Sequence, residues 1–381
     1  MNSLQLPNNP KFSSGPCAKI PNWDASFLND ALLGRSHRAP VSVNRIQKLI
    51  SLTKSILNIP ETYHVAIVGG SDTGAFEMAM WSLLGKKGVN ILAWDSFGRD
   101  WITDIIDQLK INNAKLIDAD YGFLPNLEEV NFENDVVFTW NGTTAGVKVP
   151  NGDWIDDNRA GLTLCDATSA VLAMDLPWNK LDATTFSWQK VLGGEAQHGI
   201  LVLSPKAVER LENYRPTWPI PKLFRITSKG SFQSKIFRGS TINTPSMLCI
   251  EDAIHSLQWV SSIGGANTMI KRSLSNLEVI DKWVSKTEWI EFLAQNKDIR
   301  SSTSICLKII DPWFLKLTSD GKKEILQSFF SLLEEKEAAY DINHYPSAPP
   351  GIRIWGGGTV ETSNIELLLP WLDWAWEYIE K

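Results

Sequence analysis

Cysteine is scarce in this chain of 381 residues. Its four copies, Cys17, Cys165, Cys249 and Cys306, lie far apart and form no C-x-x-C pair. That spacing excludes a zinc ribbon or a disulfide framework and fits a reducing compartment. Positive charge is also short: the formal net charge is -6, which argues against a general nucleic-acid binder and its basic face. It leaves room for a local basic pocket around a small anion. Long apolar runs are missing, so no segment reads as membrane-spanning. The opening "MNSLQLPNNPKF" lacks the basic-then-apolar pattern of a secretory signal. These absences lead to the expectation of a cytoplasmic protein with no metal site. No internal repeat and no low-complexity segment stands out.

What is present is a large core. Hydrophobic residues make up 43% and charged residues 21%, enough for one large domain plus a smaller one. Seventeen tryptophans, scattered along the chain, read as core or interface anchors. Residues 1–20, rich in Pro, Asn, Ser and Gly, read as an extended arm. Residues 41–58 carry apolar side chains at helical spacing. "YHVAIVGG" is then a short strand, "GAFEMAMWSLLG" a buried helix closed by Gly85, and "VNILAWD" a second strand. "RDWITDIIDQLKI" reads as a helix and "AKLIDADYG" as a third strand. "DVVFTWNGTTAGV", "LTLCDATSA", "ATTFSWQKVL" and "HGILVLSP" add further strands with polar exits. Alternating strands and helices predict a parallel or mixed sheet covered on both faces, an α/β fold. After about residue 255 amphipathic helices dominate, with strands at "STSICLKII" and "GIRIW" and a closing helix at "NIELLLPWLDWAWEYIEK", which predicts a smaller α+β domain.

Ligands of open α/β sheets bind at the carboxyl ends of the strands. Those ends carry distinct polar groups here. "GGSDTG" holds Ser71, Asp72 and Thr73 at a helix start, a natural phosphate site. Phe97 follows the second strand, Thr143 and Thr144 the fourth, Asp166 and Thr168 the fifth, and Gln189 and Lys190 the sixth. A nicotinamide-binding reading takes the glycine turn and Asp95 for a ribose, but the pattern is GGxxxG, not GxGxxG, and Asp166 and Lys190 stay idle. Pyridoxal 5'-phosphate (PLP) chemistry uses all of them. Lys190, with no charged neighbour for several residues, suits a Schiff base. Asp166 suits the pyridine nitrogen, Asp72 and Thr73 the phosphate, and Phe97 the ring face.

These residues lie in an order that resembles the phosphoserine aminotransferases, fold-type I PLP enzymes of the class-V aminotransferase group. The resemblance spans nearly the whole chain and is strongest to the branch described from alphaproteobacteria and methanogenic archaea. It rests on "KFSSGPCAKIP", "GRSHRAP", "NGTTAG", "CDATSA", "SWQK", "TINTPS" and "GIRIW". It implies a mostly parallel seven-stranded sheet in a large domain at 21–257, after the arm at 1–20, and a small domain at 258–381. It also implies that Lys190 is catalytic, that Thr143 meets the ring hydroxyl, and that Thr168 and Gln189 join the backbone of residues 72–73 around the phosphate. Asn243 and Thr244 would reach the phosphate of the neighbouring subunit, so a homodimer with shared active sites is expected. His37, Arg38 and Arg353 would bind the two anions of each substrate, Arg353 as a fork on the α-carboxylate. The implied partners are small molecules, L-glutamate and 3-phosphohydroxypyruvate, in serine biosynthesis, with the 4-phosphohydroxythreonine step of pyridoxine synthesis as a second activity.

Three rival readings remain at this point. Serine–pyruvate or alanine–glyoxylate transamination would leave His37 and Arg38 dispensable. Cysteine desulfuration would need a thiol on a mobile loop, whereas Cys306 falls in a strand. A non-catalytic scaffold is opposed by the intact Lys190–Asp166 pair. The sequence departs from the family at Thr73, where an arginine is usual, and at "HYPSAPP", which offers no clear His-Arg pair; "GGEAQHG" with His198 is a candidate substitute.

Overall fold

The computed structural model describes residues 4–380. Its larger sheet has seven strands: β1 (His64–Gly69), β2 (Val89–Ala93), β3 (Ala114–Asp118), β4 (Asp135–Thr139), β5 (Thr163–Asp166), β6 (Ala183–Ser187) and β7 (His198–Leu203). They lie in the order β1-β7-β6-β5-β4-β2-β3. The pairs β2/β3, β2/β4, β4/β5 and β5/β6 are parallel, whereas β7 runs antiparallel to both β1 and β6. Strands β2, β4, β5, β6 and β7 are buried throughout, as strands covered on two faces must be.

Helix α1 (Pro40–Ile56) starts on a proline at its first position and buries Ile46, Leu49, Ile50 and Ile56 along one stripe. Helix α2 (Ser71–Leu83) follows β1 directly. Gly70, at φ 88°, makes the turn, and a Cβ on Gly74 would lie 2.3 Å from the carbonyl oxygen of Gly69. Only a glycine there lets the helix start drop onto the strand end. Helix α3 (Ser96–Thr103) is capped by Asp95, whose Oδ1 accepts from the Gly98 N–H at 2.9 Å. Helix α4 (Pro205–Asn213) is fixed to the start of β4 by a buried fork: Arg210 donates to both oxygens of Asp135, at 2.9 and 3.1 Å.

Helices α5 (Met247–Ser262) and α6 (Ala266–Val284) lead to a three-stranded antiparallel sheet of β8 (Ile290–Phe292), β9 (Ser304–Ile309) and β10 (Gly351–Trp355), backed by α7 (Ser319–Glu335) and α8 (Thr362–Glu380). The expected domain edge at 257/258 falls inside α5, an unbroken helix. Trp289 and Trp376 stack at 4.7 Å with nearly parallel rings in the core of this region, and Trp313 stacks on Trp376 at 5.4 Å. Sequence periodicity identified most of these elements but passed over α4, α5 and β8.

Residues 10–17 of the expected arm are held against the rest of the chain. Phe12 is fully buried and accepts the Trp355 N–H of β10 on its carbonyl, Tyr340 donates to the Pro10 carbonyl, and Cys17 donates to the Gln189 carbonyl. Residues 10–17 thus run from the small sheet to the turn after β6. No described helix is long and apolar enough to cross a membrane, and all four cysteines are free.

Candidate active site

The carboxyl ends of β4, β5 and β6 and the start of α2 line one open cavity of about 100 Å³. Asp72, Thr73, Phe97, Thr143, Asp166, Thr168, Gln189 and Lys190 all line it. Residues far apart in sequence meet here because parallel strands end at one rim and each exit contributes a side chain.

Lys190 stands in the turn after β6, and its amine donates to the Ser14 carbonyl of the arm. The amine also lies 6.0 Å from the centroid of the Phe97 ring. Burial pushes the lysine below its usual range, and the Arg353 cation pushes it further; Cys17, Asp166 and Asp72 oppose them. Asp166 ends β5, and one oxygen accepts from the Thr168 N–H at 3.0 Å. Burial raises its carboxyl, while that N–H bond and Lys190 favour the charged form. Asp72 is buried on the first turn of α2, with its carboxyl against Asp166, Thr168 and Thr185. Its side chain therefore turns under the sheet rim, and what α2 offers an anion at this point is backbone N–H and the exposed Thr73.

Several polar atoms in the cavity wall are buried without a partner: Asp72 Oδ1, Thr139 Oγ1, Asn141 Oδ1, Thr168 Oγ1 and Gln189 Oε1. Unpaired buried polar groups are costly, so a wall of them marks a place that a polar ligand completes. Thr143 is oriented by its neighbours. Ser169 spends its hydroxyl proton on the Asn141 carbonyl at 3.0 Å, so it accepts the Thr143 hydroxyl at 2.9 Å and leaves the lone pairs of Thr143 free.

Arg353, on β10, is half-buried and has no hydrogen bond or ion pair to any described side chain; its Nε is buried and unpaired. Its guanidinium lies 5.8 Å from the Tyr345 ring, and that ring lies 5.9 Å from Phe97. Tyr345 thus bridges Phe97 and Arg353, a position nothing in "HYPSAPP" announces. Cys17 also comes close: burial pushes its thiol up to about 12, against the pull of Lys190 and Arg353.

Other expected residues lie elsewhere. His37 and Arg38 do not line this cavity; they sit in the turn before α1, His37 half-buried and Arg38 exposed. Asn243 and Thr244 are exposed, with the Asn243 amide packed over Gly69 near the α2 start. His198 is buried on β7, where its Nε2 accepts the Ser246 N–H at 3.0 Å and so caps the approach to α5; it is a satisfied structural histidine. "GGEAQHG" supplies no cation: Glu195, Ala196 and Gln197 are exposed, and Glu195 pairs with Lys19 at 2.7 Å. Asp95, the ribose ligand of the nicotinamide reading, is buried and engaged by the N–H groups of Gly98 and Thr144, with burial lifting its carboxyl to about 6. Cys306 is buried in β9, where no desulfurase nucleophile would sit.

No family model matches the chain. Among curated relatives it is 53% identical over 380 residues to a phosphoserine aminotransferase of Methanosarcina mazei and 52% identical to one of Methanosarcina barkeri, with all of both chains covered in each case. Among solved structures it superposes on a phosphoserine aminotransferase of Cytophaga hutchinsonii with a TM-score of 0.81 at 20% identity, over 96% of this chain and 99% of that one.

Proposed function

The chain belongs to the phosphoserine aminotransferase family, and from that membership we propose that it exchanges the amino group of L-glutamate with the keto group of 3-phosphohydroxypyruvate, giving L-phosphoserine and 2-oxoglutarate. It is a fold-type I, PLP-dependent aminotransferase. The observation that carries the substrate reading is the meeting of Lys190 and Asp166 in one cavity beside an arginine, Arg353, that has no anion of its own.

The donor set suits PLP. The unpaired Thr168 and Gln189 side chains and the N–H groups that open α2 would hold its phosphate, Asp166 its ring nitrogen, Thr143 its ring oxygen, and Phe97 its face. When bound, PLP supplies an electron sink that acidifies the carbon bearing the amino group. The chain does the rest. Burial favours the neutral form of Lys190, whose Nζ can then take up that proton and return it. Asp166, charged and fixed by the Thr168 N–H, holds a positive charge at the ring nitrogen. Arg353 clamps the α-carboxylate through two parallel N–H bonds, which orients the reacting carbon. The cation for the distal phosphate comes from His37 and Arg38 of a second copy, and Asn243 and Thr244 complete the partner's cofactor phosphate. Their position outside the protomer's own cavity supports a homodimer with shared sites. The related 4-phosphohydroxythreonine reaction needs the same anion clamps and is proposed as a second activity.

The test is a comparison of amino donors in one assay. Phosphoserine with 2-oxoglutarate should react at a kcat/KM at least about a hundredfold above alanine with glyoxylate, as expected when a site built around an anion meets a substrate without one. Equal rates would move the enzyme to the alanine–glyoxylate type.

A further inference from the structure

Asp72 is an unusual occupant of its position. It opens α2 within the segment assigned to the cofactor phosphate, yet it carries a carboxyl and is buried at 7% exposure. A second buried carboxylate would repel the phosphate and Asp166 at once. The contacts around it say how the conflict is resolved. Asp72 and Asp166 are both buried and line the same cavity with Thr168, close enough for each carboxyl to act on the other, and Thr185 is the register partner of Asp166 across β5 and β6. Asp72 Oδ1 and the hydroxyls of Thr168 and Thr185 have no hydrogen bond of good geometry. Asp166 has the better claim to the negative charge, because it accepts the Thr168 N–H and faces Lys190.

We propose that Asp72 keeps a proton and donates it as a hydrogen bond to Asp166, so that the pair carries one negative charge and Asp72 acts as a positioning residue for the carboxylate assigned to the ring nitrogen. Burial, with the Asp166 charge behind it, pushes the Asp72 carboxyl well above the usual carboxylate range. The titratable groups that face the pair are Cys165 on β5, Lys190 after β6 and Asp95 at the start of α3; burial raises the thiol far enough to keep it neutral, and lifts the Asp95 carboxyl to about 6, with the Asp166 charge adding to it. A neutral Asp72 removes the anion that would oppose a phosphate at the start of α2. Its hydrogen bond would also fix the rotation of the Asp166 carboxylate.

The pairing rests on the assignment of Asp166 above, so the first measurement uses the protein without cofactor. Infrared spectra at neutral pH should show the C=O stretch of an un-ionised carboxyl, and Asp72→Asn should remove it. No such band, or a band that survives in Asp72→Asn, overturns the proposal while leaving the Asp166 assignment intact. The second measurement is the dissociation constant for PLP across pH. The wild-type affinity should fall by about tenfold as the infrared band titrates away, the scale of one like charge appearing in a low-dielectric site. Asp72→Asn should stay flat over the same range. A variant that tracks the wild type contradicts the proposal. Should Asp72→Asn fail to fold, the wild-type band must still vanish over the pH range in which the wild-type affinity drops; a band and an affinity that titrate apart overturn it.

Discussion

The amine of Lys190 donates to the carbonyl of Ser14, although 176 positions separate them. The arm therefore reaches the lysine of the candidate site. Gly15, next along it, has φ 149°, and a Cβ there would lie 2.5 Å from the lysine nitrogen. Gly15→Ala should displace the amine and add backbone strain of about 1–3 kcal/mol. The expected result is PLP affinity weakened by about tenfold, read by equilibrium dialysis, with the far-ultraviolet circular dichroism unchanged.

Arg353 should act on substrate and not on cofactor. Replacing it by Lys keeps the charge but removes the planar fork. Arg353→Lys should raise KM for the amino donor by about tenfold or more. The absorption of the bound cofactor should stay as it is. A change confined to the cofactor spectrum would contradict the assignment.

His198 gives the fold a pH dependence of known sign. Burial pushes it below the usual histidine range, and its neutral form accepts the Ser246 N–H. The stability it contributes is present above the unfolded value of about 6.5 and is lost as pH falls through the lower folded value. His64 and His344 shift the same way. Set against the opposite slope from the raised Asp72 and Asp95 carboxyls, the histidines contribute a Tm slope that falls on acidification from about pH 7.5 to about pH 5, read as the difference between wild-type and variant melts. His198→Gln, which keeps an acceptor without titrating, should flatten that slope.

The proposed sharing of sites between subunits predicts that activity depends on protein concentration. Asn243→Ala and Thr244→Ala should weaken PLP binding while leaving the protomer folded. Mixing Lys190→Ala with Asn243→Ala protein should restore some activity, because a mixed dimer holds one complete site. No restoration on mixing, with subunit exchange shown independently, would contradict the sharing of Asn243 between subunits.

The sequence carried much of this. Alternating apolar strands and helices made the layered α/β fold legible, because a buried parallel strand has to be a continuous apolar run. The rim residues were legible as well, since each stands directly after a strand and parallel strands bring their exits together. What escaped depends on contacts distant in sequence. Helix α5 buries Glu251 and Asp252 as well as apolar residues: Arg45 donates to both oxygens of Glu251, and Lys19 and Trp23 to Asp252. A helix with acids on its buried side has no simple apolar stripe. Tyr345 reaches Phe97 and Arg353 only through the fold of an irregular loop. The inward turn of Asp72 was equally hidden, because an acid at a helix start reads as a cap or an anion-site neighbour until the strand beneath it is known.

The central claim is that Lys190 and Asp166 form a working PLP site that accepts phosphoserine. The most direct measurement is the visible spectrum of the purified protein, with and without L-phosphoserine, alongside Lys190→Ala. The wild type should be yellow, bleach on addition of L-phosphoserine and recover with 2-oxoglutarate, whereas Lys190→Ala should fail to complete that cycle. A colourless protein that takes up no added PLP, or a yellow one that ignores phosphoserine and bleaches with alanine, would contradict the account.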